Sequence, residues 1–249
     1  MIRLLHLFPN LMNLYGDWGN IAVLDRALRS MGAETEVVSL DSAVGVDLMS
    51  FDFVFIGAGT EKSVRQAAER LSGMRDEFHA ADREGKVMLF TGTASELVCR
   101  EIAAENESFK ALGLFDAVVR RTADRQTGDV LYRSGLSDRL AAGFVNKSGF
   151  VMTEEPPLFT PCFGPGSFES AGGTEVPGEG LHRGNVYATY LTGPVLVRNP
   201  WLKKIVAEEL FRRAYPGAEP KAYTDEYAEK GWSVTVSELE KRMNAARNS

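Results

Sequence analysis

A chain of 249 residues with 44% hydrophobic and 25% charged side chains can build one sizeable soluble core. Its net charge of −6 leaves little to neutralise a phosphate backbone, which argues against nucleic acid as a partner. No run of about eighteen apolar residues is available to span a membrane. The two cysteines, Cys99 and Cys162, form no CxxC pair and have no histidine cluster beside them. That argues against a disulfide framework or a metal site and points to a reducing cytoplasm.

Arg3 to Phe8 reads as a buried strand and not as a signal peptide, because no small-residue cleavage site follows it. Asn20 is placed to cap a helix with Ile21, Leu24, Leu28 and Met31 on its apolar face and Gly32 as its stop. Thr35 to Leu40 alternates and reads as the second strand. Phe51 to Ile56 is the third, ending in Gly57-Ala58-Gly59. A long amphipathic helix carries Val64, Ala67, Leu71, Met74 and Phe78 on one side, up to Gly85. Val87 to Phe90 is the fourth strand; it breaks at Thr91-Gly92-Thr93, where another helix starts with Thr93 and Glu96 spaced as a capping box.

Strands alternating with helices predict an α/β fold, a mostly parallel sheet covered on both faces. In the second half, Val118 to Tyr132, Gly143 to Met152 and Val186 to Leu191 are strand-like, while residues 156–180 lack periodicity and read as a long surface loop. Asn199-Pro200 opens a strong helix with Leu202, Ile205, Val206, Leu210 and Phe211 inward. The organisation expected is one domain over residues 1–214 and a peripheral tail over 215–249. The tail carries a short helix, with Ser237 and Glu240 spaced as a capping box.

Three segments carry a family likeness. Leu11-Met12-Asn13-Leu14-Tyr15-Gly16-Asp17-Trp18-Gly19-Asn20-Ile21 resembles the opening motif of the glutaminase subunit of lipid II isoglutaminyl synthase. Gly57-Ala58-Gly59-Thr60-Glu61 stands where that family shows a Gly-Gly-Gly-Gln-Asp run, and Ala188 to Pro200 is similar to its Gly-Thr-Tyr-Leu-His-Gly-Pro-Leu-Leu-x-x-Asn-Pro. Gly143-Phe144-Val145-Asn146 adds a weaker match. The chain thus resembles a class I glutamine amidotransferase-like domain of the cobyric acid synthase type, over residues 1 to about 214. The resemblance implies a flavodoxin-like layered α/β/α fold and no cofactor. It also implies a Mur-ligase-like synthetase partner in peptidoglycan precursor amidation, and glutamine or a related small molecule as ligand.

A class I glutaminase places a cysteine on a strand-to-helix elbow, lets backbone N–H groups hold the oxyanion, and uses a histidine to move the proton. The elbow pattern, apolar-Cys-Gly-Gly-Tyr-Gln-Leu-Leu, falls on Phe90-Thr91-Gly92-Thr93-Ala94-Ser95-Glu96-Leu97. Thr91 occupies the nucleophile position and Thr192 the histidine position, so both read as inactive. Gly57, Ala58, Gly59, Thr60, Gly92 and Thr93 are the expected oxyanion and pocket residues; equally, the glycines serve only backbone freedom at strand ends.

Other readings stay open. One makes Cys162 or His182 a displaced member of the missing dyad in an active subunit; the plainer reading makes Cys162 a loop cysteine and Cys99 a buried inert thiol. The chain can also be a small-molecule binding module, or a relative serving cobalamin synthesis. Arg120-Arg121 reads as a solvated pair or a carboxylate binder, and Leu14, Tyr15 and Trp18 either pack inside or dock a partner.

Overall fold

The computed structural model describes residues 1–105, 107–170 and 172–247. The first half runs β1 (Ile2–Leu7), α1 (Gly19–Ser30), β2 (Thr35–Leu40), β3 (Phe53–Ile56), α2 (Glu61–Leu71), α3 (Arg75–Arg83) and β4 (Val87–Thr91). The second half holds β5 (Glu101–Ala104), β6 (Glu107–Lys110), β7 (Ala117–Ser134), β8 (Ser137–Thr153), β9 (Pro157–Phe163), β10 (Phe168–Glu169) and β11 (Glu175–Val176). It continues with β12 (Glu179–Arg183), β13 (Val186–Thr189), β14 (Leu191–Thr192), α4 (Val195–Arg198), α5 (Pro200–Ala214) and α6 (Glu226–Arg247).

β2, β1, β3, β4 and β13 lie side by side as a parallel sheet, continued antiparallel by β12 and β9. Period-two alternation sends the strand residues to two separate cores. Leu5, Leu7, Val54, Ile56, Met88 and Phe90 pack with Val64, Leu71 and Phe78 of α2 and α3. Ile2, Leu4, Phe53, Phe55, Val87 and Leu89 pack with Leu24 and Leu28 of α1 and with Trp201, Leu202, Val206 and Leu210 of α5. This is the expected layered α/β arrangement around a mostly parallel sheet.

Four expectations need correction. The long helix after β3 is broken by a 3-10 turn at Ser72–Met74, so α2 and α3 are separate. Residues 156–180 are not a surface loop: β9, β10, β11 and the start of β12 lie there, and Leu158, Phe159, Phe168 and Glu179 are buried. The antiparallel hairpin of β7 and β8, far longer than an average strand pair, gives that segment edges to pair with. The tail helix α6 has 22 residues, and Ser237 lies inside it instead of at its start. Val236 and Leu239 of α6 pack on Leu131 and Ala142, and Asp225, just before the helix, binds the buried Lys203 at 2.7 Å. Finally, Gly92–Val98 forms seven residues of 3-10 helix in place of an α-helix, all of them buried.

Candidate functional site

The C-terminal ends of β3 and β4 meet at a cleft of about 220 Å³ whose lining includes Tyr15, Ala58, Gly59, Thr93, Asn146 and Thr192. Neighbouring parallel strands place Ile56 beside Phe90 and Thr91 beside Thr189, so the turns after β3 and β4 rise together. Gly92 has φ +57, and a Cβ there would fall 2.6 Å from the Ala58 methyl carbon. Only glycine fits both the backbone and the space. The sharp turn expected of an elbow is therefore present.

Its side chains do unexpected things. Thr91 is completely buried and donates its hydroxyl hydrogen to Asp17 Oδ2 at 2.7 Å. The same carboxylate oxygen accepts the Ala58 N–H at 2.7 Å. Asp17 Oδ1 has no partner, and burial lifts the Asp17 carboxyl to about 6 despite those two hydrogen bonds. Thr93 Oγ1 accepts the Gly59 N–H at 2.9 Å and donates to the Gly59 carbonyl at 2.8 Å. Thr192 donates to the Phe144 carbonyl at 3.0 Å. Each of the three threonine hydroxyls is thus spent on a partner within the chain.

Thr93 and Glu96 do not form the expected capping box. Thr93 bonds to Gly59, while the buried Glu96 receives Arg121 Nε at 2.9 Å and the Tyr190 hydroxyl at 3.1 Å. Long-range partners satisfy both groups better than a local cap, since the following turn is 3-10. A Cβ at Gly149 would sit 2.5 Å from the Tyr190 hydroxyl, so the close approach of β8 to this cluster requires glycine. Arg120 and Arg121 bind carboxylates, but those of this chain, Glu169 and Glu96.

Glu179 anchors the other side of the elbow. Its carboxylate accepts Tyr190 N–H at 2.7 Å and the Thr189 hydroxyl at 2.9 Å, and burial lifts it to about 7. The opening motif reaches the same place: Tyr15 receives Asn146 Nδ2 at 2.8 Å, and Asn20 Oδ1 accepts the Leu196 N–H at 2.9 Å. Asn20 therefore fastens α1 to α4 instead of capping a helix, which starts one residue earlier. Leu14, Tyr15 and Trp18 are left exposed.

No cysteine or histidine lines the cleft among the described residues. His6 packs at a tilt against Phe55, His79 contacts the Leu112 carbonyl at 3.2 Å, and His182 packs at a tilt against Tyr187, ring centres 4.7 Å apart. Cys99 is fully buried with its thiol pushed up by burial, and Cys162 is half-buried against the small core formed with α6.

Residues 3–200 match the CobB/CobQ-like glutamine amidotransferase domain. The chain belongs to that family. It is 28% identical over 229 residues to the lipid II isoglutaminyl synthase (glutamine-hydrolyzing) subunit GatD of Streptococcus pneumoniae, covering 90% of this chain and 86% of that one. It is 26% identical over 226 residues to the corresponding GatD subunit of Staphylococcus aureus, covering 90% of both. The solved structure of PurLQS from Thermotoga maritima shares the fold with a TM-score of 0.54 at 10% identity, covering 86% of this chain and 98% of that one. A glutamine amidotransferase from Thermotoga maritima does so with 0.52 at 13% identity, covering 97% of both.

Within this CobB/CobQ-like domain, the structure brings Thr91, Gly92, Thr93, Ala58, Gly59 and Thr192 to one place, and Thr60 lines the rim. Gly57 packs below, where a Cβ would meet the Met12 carbonyl and Asp17. Sequence reasoning missed Asp17 as the partner of Thr91 and Ala58. The available signal was that Asp17 is the one charged residue of the opening motif. It also missed the Glu96, Arg121 and Tyr190 cluster and the role of Glu179, whose partners lie on other strands. Among the described residues no helix is long and apolar enough to cross a membrane.

Proposed function

We propose that this chain is the glutaminase-type subunit of an assembly that amidates a peptidoglycan precursor, and that it no longer hydrolyses glutamine. The first part rests on its likeness to the two GatD subunits over nine-tenths of its length. The second rests on one observation: the elbow presents Thr91, buried and bonded to Asp17, with Thr192 opposite in place of a proton-transferring base. A hydroxyl needs an adjacent base to attack a carboxamide. The carboxylate that touches Thr91, Asp17, is fully buried with it and is not among the residues lining the cleft, and Glu61, which does line it, is engaged by Arg125. Losing a nucleophile–base unit costs on the order of 10⁶-fold in rate. The chain then serves its complex by docking a Mur-ligase-like synthetase, with Leu14 and Tyr15 at the cleft mouth and the exposed Trp18 of the same motif as the anchor residues.

A displaced nucleophile has little support, because Cys162 lies under α6 and His182 faces Tyr187. A cobalamin-pathway role is the alternative to peptidoglycan amidation and rests on likeness to the CobB/CobQ-like domain. A cytoplasmic location is proposed from the sparse, unpaired cysteines. A glutaminase assay on the purified chain, alone and with its co-purified synthetase, tests the reading. Glutamine turnover abolished by Thr91→Ala would sink it.

A further inference from the structure

An amide-hydrolysing elbow needs backbone N–H groups left free, aimed at the position the oxyanion will occupy. The turn after β3 is the natural source here, because Ala58 and Gly59 form the floor of the cleft. All four of their backbone polar groups can be accounted for. The Ala58 N–H goes to Asp17 Oδ2 at 2.7 Å, and its carbonyl accepts the Leu14 N–H at 2.8 Å. The Gly59 N–H and carbonyl both go to Thr93 Oγ1, at 2.9 and 2.8 Å. The Ala58 methyl lies over Gly92 and fills the space between the two turns.

We propose that Asp17 and Thr93 form an internal clasp that closes the elbow, Asp17 taking the Ala58 N–H from the buried side of the turn and Thr93 taking the Gly59 N–H from the cleft side. The proposal deepens the reading of the chain as a subunit without glutaminase activity, and rests on it. Inactivity then has two layers: the reacting side chains are absent, and the two donors that the turn after β3 would offer a tetrahedral oxyanion, the Ala58 and Gly59 N–H groups, are already committed. The clasp also makes the cleft a poor receptor for a carboxamide or carboxylate, since a ligand entering it meets donors that are taken. Asp17 and Thr93 are positioning residues: they act on the backbone of the turn and not on a substrate. The unusually high Asp17 carboxyl pKa is consistent with the clasp, as a buried acceptor held by neutral donors.

Residue-resolved amide hydrogen exchange on the full-length chain reads the clasp directly. The Ala58 and Gly59 amides are expected to exchange at least about 100-fold more slowly than unprotected amides. Thr93→Val, which keeps the shape and removes the hydroxyl, should speed Gly59 exchange at least tenfold and leave Ala58 unchanged. Thr93→Ser should restore protection. Fast exchange at Gly59 in the unaltered chain, or protection unmoved by Thr93→Val, overturns the proposal. The activity arm compares Thr91→Cys/Thr192→His with the same pair plus Asp17→Ala and Thr93→Ala, which remove both halves of the clasp. The fourfold variant should turn over glutamine at least tenfold faster than the double variant, and a fourfold variant no faster overturns the clasp. Glutamine turnover by the unaltered chain would instead overturn the functional reading, so the two failures are separable.

Discussion

Thr91 and Asp17, 74 residues apart in sequence, are joined by a fully buried 2.7 Å hydrogen bond at the end of β4. That contact ties the opening motif to the elbow and decides what Thr91 is for. Thr91→Val should destabilise the fold by about 1–3 kcal/mol, because it leaves a buried carboxylate short of a donor. Urea unfolding measures the loss, and Thr91→Ser should recover most of it.

Glu179 predicts a pH dependence. Burial raises its carboxyl from 4.5 to about 7, so the folded state holds a proton that the unfolded state has released across that window. Its contribution therefore favours folding below pH 4.5 and is lost as pH rises through about 7, by up to roughly 3 kcal/mol at ~1.4 kcal/mol per unit. Glu179→Gln should flatten this slope in unfolding curves taken from pH 4.5 to 7.5. Equal slopes in the two proteins would refute the assignment.

Lys147 predicts the opposite trend at higher pH. Burial lowers its ammonium to about 8, offset in part by surrounding carboxylates, Glu179 first. Between about 8 and 10.5 the folded state binds fewer protons than the unfolded one, so this group makes stability climb with pH. Lys147→Met should remove that climb, as read by chemical unfolding at pH 7.5, 9 and 10.

Glu96 and Arg121 are side-chain exposed by only 1% and 9%, so neither charge has water to fall back on. Arg121→Ala should cost about 3–5 kcal/mol by leaving the Glu96 carboxylate uncompensated. The pair Arg121→Met/Glu96→Gln should cost less than the single change, which a double-mutant cycle in thermal unfolding detects as strong coupling.

An electrophilic glutamine analogue should leave both thiols unmodified, as intact mass spectrometry would record. Cys99 is sealed in the core with its thiol pushed up, and Cys162 packs beside Phe163 under α6. Labelling of Cys162 would bring back a displaced nucleophile.

The layered sheet was legible because β1, β3 and β4 are short, mostly apolar runs and α1 has a clean helical stripe. The elbow was legible at Gly92, whose need for a left-handed backbone survives any loss of chemistry. The strands between Pro157 and Arg183 were not, since β10 and β11 are two residues each and exist only through pairing with β8 and with each other. Glu96 misled for a related reason: capping spacing is local information, whereas its partners Arg121 and Tyr190 arrive from strands far along the chain. Asp17 sat in plain view within the opening motif, but nothing local to it indicates that Thr91 and Ala58 come to rest on its carboxylate.

The pairing of β4 with β13 sets Phe90 beside Ala188, with about 100 residues, including the whole β7–β8 hairpin, inserted between two adjacent parallel strands. The hairpin can zip from its own turn, whereas the central sheet must await a late, entropically costly closure. During synthesis the edge of β4 therefore emerges long before its partner, unpaired and apolar except for Thr91, and is the place where a nascent or truncated chain is most exposed to aggregation.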